Sequence, residues 1–265
     1  GNADPTFTYG VSGLKLSDTR AGVLTGALAR DAGETVAGGP YAIKKGTLAA
    51  NGNYTIDYTG SNLTITARPI TVTANPQTKV IGAADPTLTY KVTGTLVGTD
   101  SFSGALSRAT GETIGTYPIG QGTLSLGGNY TLTYVASSLA IIYGWNGFLQ
   151  PINDTAHQIG TSESLFKLGS TVPVKFQLKN ASGGIVQASA LPTFTRSANR
   201  GACDSTLSPE TPATDPAFTS STYRWDTNQY IYNFSTKGLT TGEYRIYAVL
   251  DDGSANANWV DICLR

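Results

Sequence analysis

The chain of 265 residues has no methionine, one histidine, two cysteines and few charges, and each shortage removes a class of function. A lone His157 leaves serine-protease-type triads and multi-histidine zinc sites short of members, so an enzyme is the poorest reading. Charged residues make up only 14%, with 18 basic and 18 acidic, so no positive field exists to hold nucleic acid. There is no run of about 18 apolar residues to span a bilayer and no basic-then-apolar leader, so membrane insertion is not expected. Without an initiating methionine, residue 1 is expected to be a processing or cloning boundary. Cys203 and Cys263 stand far apart, outside any CxxC and without neighbouring ligands, so no metal site and no cofactor is expected. A single disulfide between them in an exported protein is expected instead. On the chain-entropy model a loop of that size contributes about 4 kcal/mol.

What fills the chain is Thr, Ser, Asn and 31 glycines, with Thr alternating with apolar residues as half-buried strands require. No stretch keeps a helical period. Residues 70–142 form one complete copy of a unit that also stands, cut short, before it. Asp85-Pro86-Thr87-Leu88-Thr89-Tyr90 repeats Asp4-Pro5-Thr6-Phe7-Thr8-Tyr9, and Gly104-Ala105-Leu106-Ser107-Arg108 repeats Gly26-Ala27-Leu28-Ala29-Arg30. Asn129-Tyr130-Thr131-Leu132-Thr133-Tyr134 answers Asn53-Tyr54-Thr55-Ile56-Asp57-Tyr58. In the complete copy Ile70, Val72 and Ala74 share one strand face; Leu88, Tyr90 and Val92, then Tyr130, Leu132 and Tyr134, then Leu139 and Ile141 do the same. Residues 117–119 and 123–126 predict a hairpin around Gly120-Gln121-Gly122.

The first copy has only Gly1-Asn2-Ala3 before Asp4, where the second has fifteen residues, 70–84, before Asp85. Its first strand is missing. Either this is a boundary effect, or an open edge takes a strand from a neighbour and the protein self-associates.

From Tyr143 the pattern changes. Val172, Val174, Phe176 and Leu178 alternate, as do Tyr230, Tyr232 and Phe234, then Tyr244, Ile246 and Ala248. With turns at Gly183-Gly184, Asp226-Thr227-Asn228, Gly242 and Asp252-Gly253, seven or eight short strands suggest an immunoglobulin-like sandwich. The Ser/Thr/Pro-rich stretch 202–221 reads as a surface loop. The expected domains are 1–67, 68–143 and 144–265, joined by short linkers at Ala67-Arg68-Pro69 and Tyr143-Gly144.

The run from Ala84-Asp85-Pro86 through Gly111-Glu112-Thr113-Ile114-Gly115-Thr116-Tyr117 to Gly128-Asn129-Tyr130-Thr131 resembles the MBG domains, YGX type, of bacterial surface proteins, over about residues 4–142. The family's Tyr-Gly falls at Ile81-Gly82. The resemblance implies two β-grasp-like modules within an exported, adhesin-like protein, and some related modules bear a mucin-binding label. Residues 145–265 resemble the PxKF domain of bacterial secreted proteins, with Pro173-Val174-Lys175-Phe176 as the naming motif and Ala202-Cys203-Asp204 and Leu250-Asp251-Asp252-Gly253 as further matches. In this chain the second cysteine follows the last Asp-Gly turn.

Among side chains with binding chemistry, Trp225, Tyr223 and Trp145 are the candidate ligand-contacting aromatics, since aromatic faces pack on sugar rings. Trp225, beside the predicted turn, is the first to test. Asp18 and Asp100 recur and either cap a turn or bind an ion; Asp251-Asp252-Gly253 is a tight turn. The expected whole is a mostly β, extracellular or cell-surface, non-enzymatic structural or adhesive module. Its expected partners are a glycan, a host or matrix surface, or a second copy; the alternatives are a strand-donating filament subunit and a lectin-like domain.

Overall fold

The computed structural model describes residues 1–158, 160–203, 208–211, 214–254 and 257–265. Among them the regular structure is nearly all strand. The first repeat holds α1 (Arg20–Val23), β1 (Leu24–Thr25), β2 (Ala29–Arg30), β3 (Tyr41–Lys44), β4 (Ala49–Ala50) and β5 (Ser61–Leu63). The second holds β6 (Arg68–Ala74), β7 (Gln77–Val80), β8 (Tyr90–Thr93), β9 (Ser107–Arg108), β10 (Gly115–Gly120), β11 (Tyr130–Val135) and β12 (Ser137–Ile142). The C-terminal region follows with β13 (Gly144–Leu149), β14 (Ser164–Phe166), β15 (Thr171–Lys179), β16 (Ile185–Val186), β17 (Thr193–Arg196), β18 (Arg224–Asp226), β19 (Gln229–Ser235), β20 (Gly242–Val249) and β21 (Trp259–Leu264).

Two compact units result. One comprises Gly1–Ala74, Tyr90–Leu106 and Gln121–Val135, the other Asn75–Thr89, Ser107–Gly120 and Ala136–Arg265. In the first unit β6 lies between β11, in parallel, and β8, antiparallel, with Ile70, Val72 and Ala74 buried as the alternation requires. In the second unit β7, β12, β10 and β9 form a sheet in that order. The second repeat thus divides its strands between a three-stranded and a four-stranded sheet and contains no helix, where a β-grasp sheet would wrap one. The single helix among the described residues is the four-residue α1 of the first repeat, capped by Thr19.

The hairpin expected at 117–126 does not form. Residue 125 bridges back to 103 instead, and Thr123 and Leu124 donate their N–H groups to the carbonyl of Ala105. Gly104 permits this approach: at φ +76° a Cβ would sit 2.1 Å from the Thr123 carbonyl oxygen. The first repeat uses the same device, with Gly26 at φ +88° against Thr47.

The C-terminal region is a sandwich of a five-stranded sheet (β13-β15-β19-β18, with β16 on β15) and a four-stranded sheet (β14-β21-β20-β17). Val172, Val174, Phe176 and Leu178 from β15 meet Tyr244, Ile246 and Ala248 from β20 and Val260, Ile262 and Leu264 from β21 in one core. Phe176 is its centre, stacked on Tyr230 at 5.0 Å and edge-on to Tyr223 and Phe148. The predicted turn at Asp226-Thr227-Asn228 is a two-residue hairpin: Thr227 and Asn228 have φ of 42° and 71°, and Asp226 pairs with Gln229. Gly242, expected in a turn, opens β20. Cys203 and Cys263 form the disulfide. Asp204 and part of the 202–221 stretch lie outside the described residues.

Candidate functional site

The aromatic candidates occupy unequal places. On the five-stranded sheet Phe148, Phe176, Tyr230 and Trp225 stand opposite one another across four consecutive strands. The first three are buried, and Trp225 is half-buried at the end of the row, its ring edge-on to Tyr230 at 4.9 Å. Trp145 packs on Phe176 at 4.9 Å and on Phe148, with its indole nitrogen buried, so only hydrocarbon edge faces outward. Tyr223 is wholly buried among Phe176, Phe194 and Tyr232, and burial pushes its phenol well above the ordinary tyrosine range. It has no face open to a ligand. Tyr223 is therefore a core residue, and the period-2 reading missed this because it stands outside any strand, just ahead of β18.

His157 has a structural partner. Its Nδ1 lies 3.0 Å from Oδ1 of Asp154, a fully buried carboxylate that also accepts the N–H groups of Phe148 and Ala156. The pair closes the loop after β13. Asp251 and Asp252 serve the backbone: Asp251 accepts from Ala190 N–H, and Asp252 from Tyr143 and Ser254 N–H. Asp18 and Asp100 each accept a tyrosine hydroxyl, from Tyr54 at 2.7 Å and Tyr130 at 2.6 Å. Each of those hydroxyls in turn accepts a backbone N–H, from Lys15 and Val97, closing a turn. Among the described residues no group of three or more His, Cys, Asp or Glu side chains is placed to hold a metal ion.

A charged cluster in the second repeat went unread in the sequence. The Arg108 guanidinium holds Asp85 at 2.7 and 2.9 Å, pairs with Glu112, and reaches the carbonyls of Ala109 and Gly111. Lys79 on β7, its side chain 4% exposed, donates to Asp85 at 2.6 Å and Glu112 at 2.5 Å. Arg108 first, then Lys79, holds the Asp85 carboxyl down at about 2. The same arrangement, without a lysine, recurs in the first repeat. Arg30 holds Asp4 at 2.6 and 3.0 Å, pairs with Glu34 at 2.5 Å and reaches the carbonyls of Asp31 and Gly33. The recurrence of Asp-Pro-Thr, Arg and Gly-Glu-Thr at matched places was the signal available.

Behind each cluster a tyrosine completes the corner. The hydroxyls of Tyr41 and Tyr117 donate to the carbonyls of Thr35 and Thr113, under the guanidiniums of Arg30 and Arg108 at 5.3 and 5.4 Å. Pairing registers agree as well: Tyr41 faces Leu63 as Tyr117 faces Leu139, and Arg30 faces Ile43 as Arg108 faces Ile119.

These geometries define a pair of mostly β repeats built on one plan, followed by a sandwich. The chain matches the MBG domain (YGX type) model over residues 1–64 and 70–140, more than half its length, and belongs to that family. Among solved structures it is similar to a chain of FdeC, an Escherichia coli adhesin, at 18% identity over 74% of this chain and 62% of that one, with a TM-score of 0.28. The chain thus spans less than two thirds of that FdeC chain. The titin I9–I11 tandem shares 9% identity over 85% of this chain and 72% of its own, with a TM-score of 0.24. Domains 4 and 5 of the S-layer protein SbsC share 12% over 69% and 83%, with a TM-score of 0.22. No curated protein matches.

Proposed function

We propose that the chain is a non-enzymatic structural and adhesive module of an exported bacterial surface protein, in which the MBG repeats act as a spacer and the sandwich that follows them, the PxKF-like part, is the module they carry. Family membership supports a surface-protein setting. The junction between β12 and β13 carries the spacer reading. A single residue, Tyr143, separates the two strands; it is 3% exposed, its N–H donates to Asp252 Oδ2 at 3.0 Å and its hydroxyl accepts from Ser189 N–H. Alongside, Ile81 N–H donates to Ile142 and Ala181 N–H donates to Ile81. Gly144 lies so close to Lys179 that a Cβ would stand 2.8 Å from its carbonyl oxygen. A connection sealed in this way resists bending, as a spacer requires.

The adhesive half is tested with beads coated with the chain, flowed over mucin-coated, matrix-protein-coated and albumin-coated glass. Retention on mucin or matrix above albumin is expected. Equal retention on all three removes adhesion from the reading and leaves the spacer.

A further inference from the structure

The Pro173-Val174-Lys175-Phe176 run contains one residue that the core does not use. Val174 and Phe176 are fully buried, and the period of β15 sets Lys175 on the opposite, outward face of the five-stranded sheet. There it stands between Leu149 of β13 and Ile231 of β19, with Arg224 of β18 beyond. Lys179 follows on the same face four residues along β15, about 13 Å away at the rise of a strand, and Arg224 is two strands across, about 10 Å. Strands β13, β15, β16 and β19 contain no acidic residue. The one carboxylate in the sheet, Asp226, lies 3.5 Å from Arg224. Lys175 and Lys179 therefore carry charges that no carboxylate of the sheet offsets. Lys167 and Lys237, both exposed, flank the Thr171–Ser235 end of the sheet, so every lysine after Tyr143 lies on it or at its end. The four-stranded sheet is built the other way. Its outward cations are paired: Arg245 and Arg200 hold Asp261 at 2.8 and 2.6 Å, and Arg200 also holds Glu243.

We propose that the outward face of the five-stranded sheet binds an acidic polysaccharide laid along β15, its carboxylate or sulfate groups set apart by uncharged sugars. The spacing of the cations selects this class. A nucleic-acid duplex carries a charge about every 1.7 Å and asks for denser cations. A single strand asks for rings on which to stack its bases, and the aromatic residues of these strands face the core. Cations about 10–13 Å apart suit a polymer whose charges are sparse. Gln177, Gln229 and Thr171 stand on the same face with amide and hydroxyl groups to meet sugar hydroxyls. Leu149 and Ile231 on either side give the Lys175 stem an apolar bed from which its ammonium reaches outward. The proposal rests on the adhesive half of the reading above and gives it a ligand class.

The probes are short oligosaccharides of hyaluronan, with a carboxylate on every second sugar, and of chondroitin sulfate, labelled for fluorescence anisotropy and titrated with the intact chain. Saturable binding of at least one is expected, and which one binds more tightly tells carboxylate from sulfate recognition. The double change Lys175→Gln, Lys179→Gln should weaken it at least tenfold. Lys44→Gln with Lys45→Gln, which removes the same charge from exposed positions in the first repeat, should leave it unchanged. Circular dichroism checks each fold, and if the first pair of changes unfolds the sandwich, Lys179→Gln with Lys237→Gln takes its place with the same expectation. No saturable binding of either sugar, equal losses in the two paired variants, or equally tight binding of polyglutamate or single-stranded DNA of matched charge would each overturn the proposal. The two readings fail separately. Bead retention on mucin that survives the loss of Lys175 and Lys179 keeps adhesion and removes this site, and oligosaccharide binding without retention keeps the site and removes adhesion to mucin.

Discussion

Nζ of Lys79 lies 2.6 Å from Oδ1 of Asp85. The ammonium is almost wholly covered, while the carboxylate it holds is 41% exposed. A lysine so placed is kept charged by its partners: the hydrogen bond to Asp85, then that to Glu112, raises it above its ordinary range.

Acid should therefore loosen the second repeat in a defined window. The Asp85 carboxyl is depressed to about 2 in the folded chain against an ordinary 3.8. A carboxylate depressed on folding contributes stability that is complete above its unfolded value and lost as pH falls through the folded one. Urea midpoints are expected to fall between about pH 4 and pH 2. An Asp85→Asn variant should start from a lower midpoint and fall less steeply; an unchanged slope would remove Asp85 from the account. Lys79 acts at the other end, its contribution persisting at its ordinary 10.5 and lost only above it.

Gly111 stands at φ +142°, and a Cβ there would meet the Tyr117 ring at 2.1 Å. Gly111→Ala is expected to cost about 1–3 kcal/mol, because the corner must open or the backbone must strain. Gly33→Ala should do the same in the first repeat, where the distance to the Tyr41 ring is 2.2 Å. Gly169→Ala has open space around it and would bear the φ penalty alone. Denaturant titrations of the three variants rank the effects; equal losses would mean that the ring contact is immaterial.

The disulfide closes a loop of 60 residues onto Cys263, which is fully buried on β21. Cys203→Ser with Cys263→Ser is expected to cost about 4 kcal/mol through the freed unfolded chain. Intact mass before and after reduction should differ by about two hydrogens in the native protein, the bond being a single one. Two thiols titrating without reductant would contradict it.

The aromatic row gives a graded series. Phe176→Ala should cost about 3–5 kcal/mol, as expected for a buried ring deep in a core. Trp225→Ala, at the half-buried end, should cost less and leave the fold intact. On a glycan array the same variant reports whether that ring also meets sugar: binding lost with an unchanged melting curve would assign it a ligand.

Much of this architecture was legible because a strand with one buried face writes period 2 into the sequence, as Ile70-Val72-Ala74 and Val172-Val174-Phe176-Leu178 do. The repeat was legible for a similar reason: the same corner needs the same Gly, Glu and Tyr twice. Less legible was partner choice. Nothing local tells Thr123 to turn back on Ala105 and not on Ile119; a carbonyl passing within 2.1 Å of where a Cβ would be is a three-dimensional fact. The Tyr143-Gly144 junction read as a linker because Gly usually marks one, and here the same Gly serves close approach. Lys79 sits in a polar stretch where a buried cation leaves no trace, since its carboxylates come from residues 85 and 112. Tyr223 looked like a surface aromatic for want of a strand around it.

The most direct test of the spacer claim is the stiffness of the β12–β13 junction. Spin labels at Thr116→Cys on β10 and Thr195→Cys on β17 straddle it, with the native cysteines locked in their disulfide. Pulsed electron spin resonance should give one narrow distance distribution, which broadens when Gly-Ser-Gly-Ser is inserted after Tyr143. A distribution already as broad in the native chain as in the insertion variant would contradict the account.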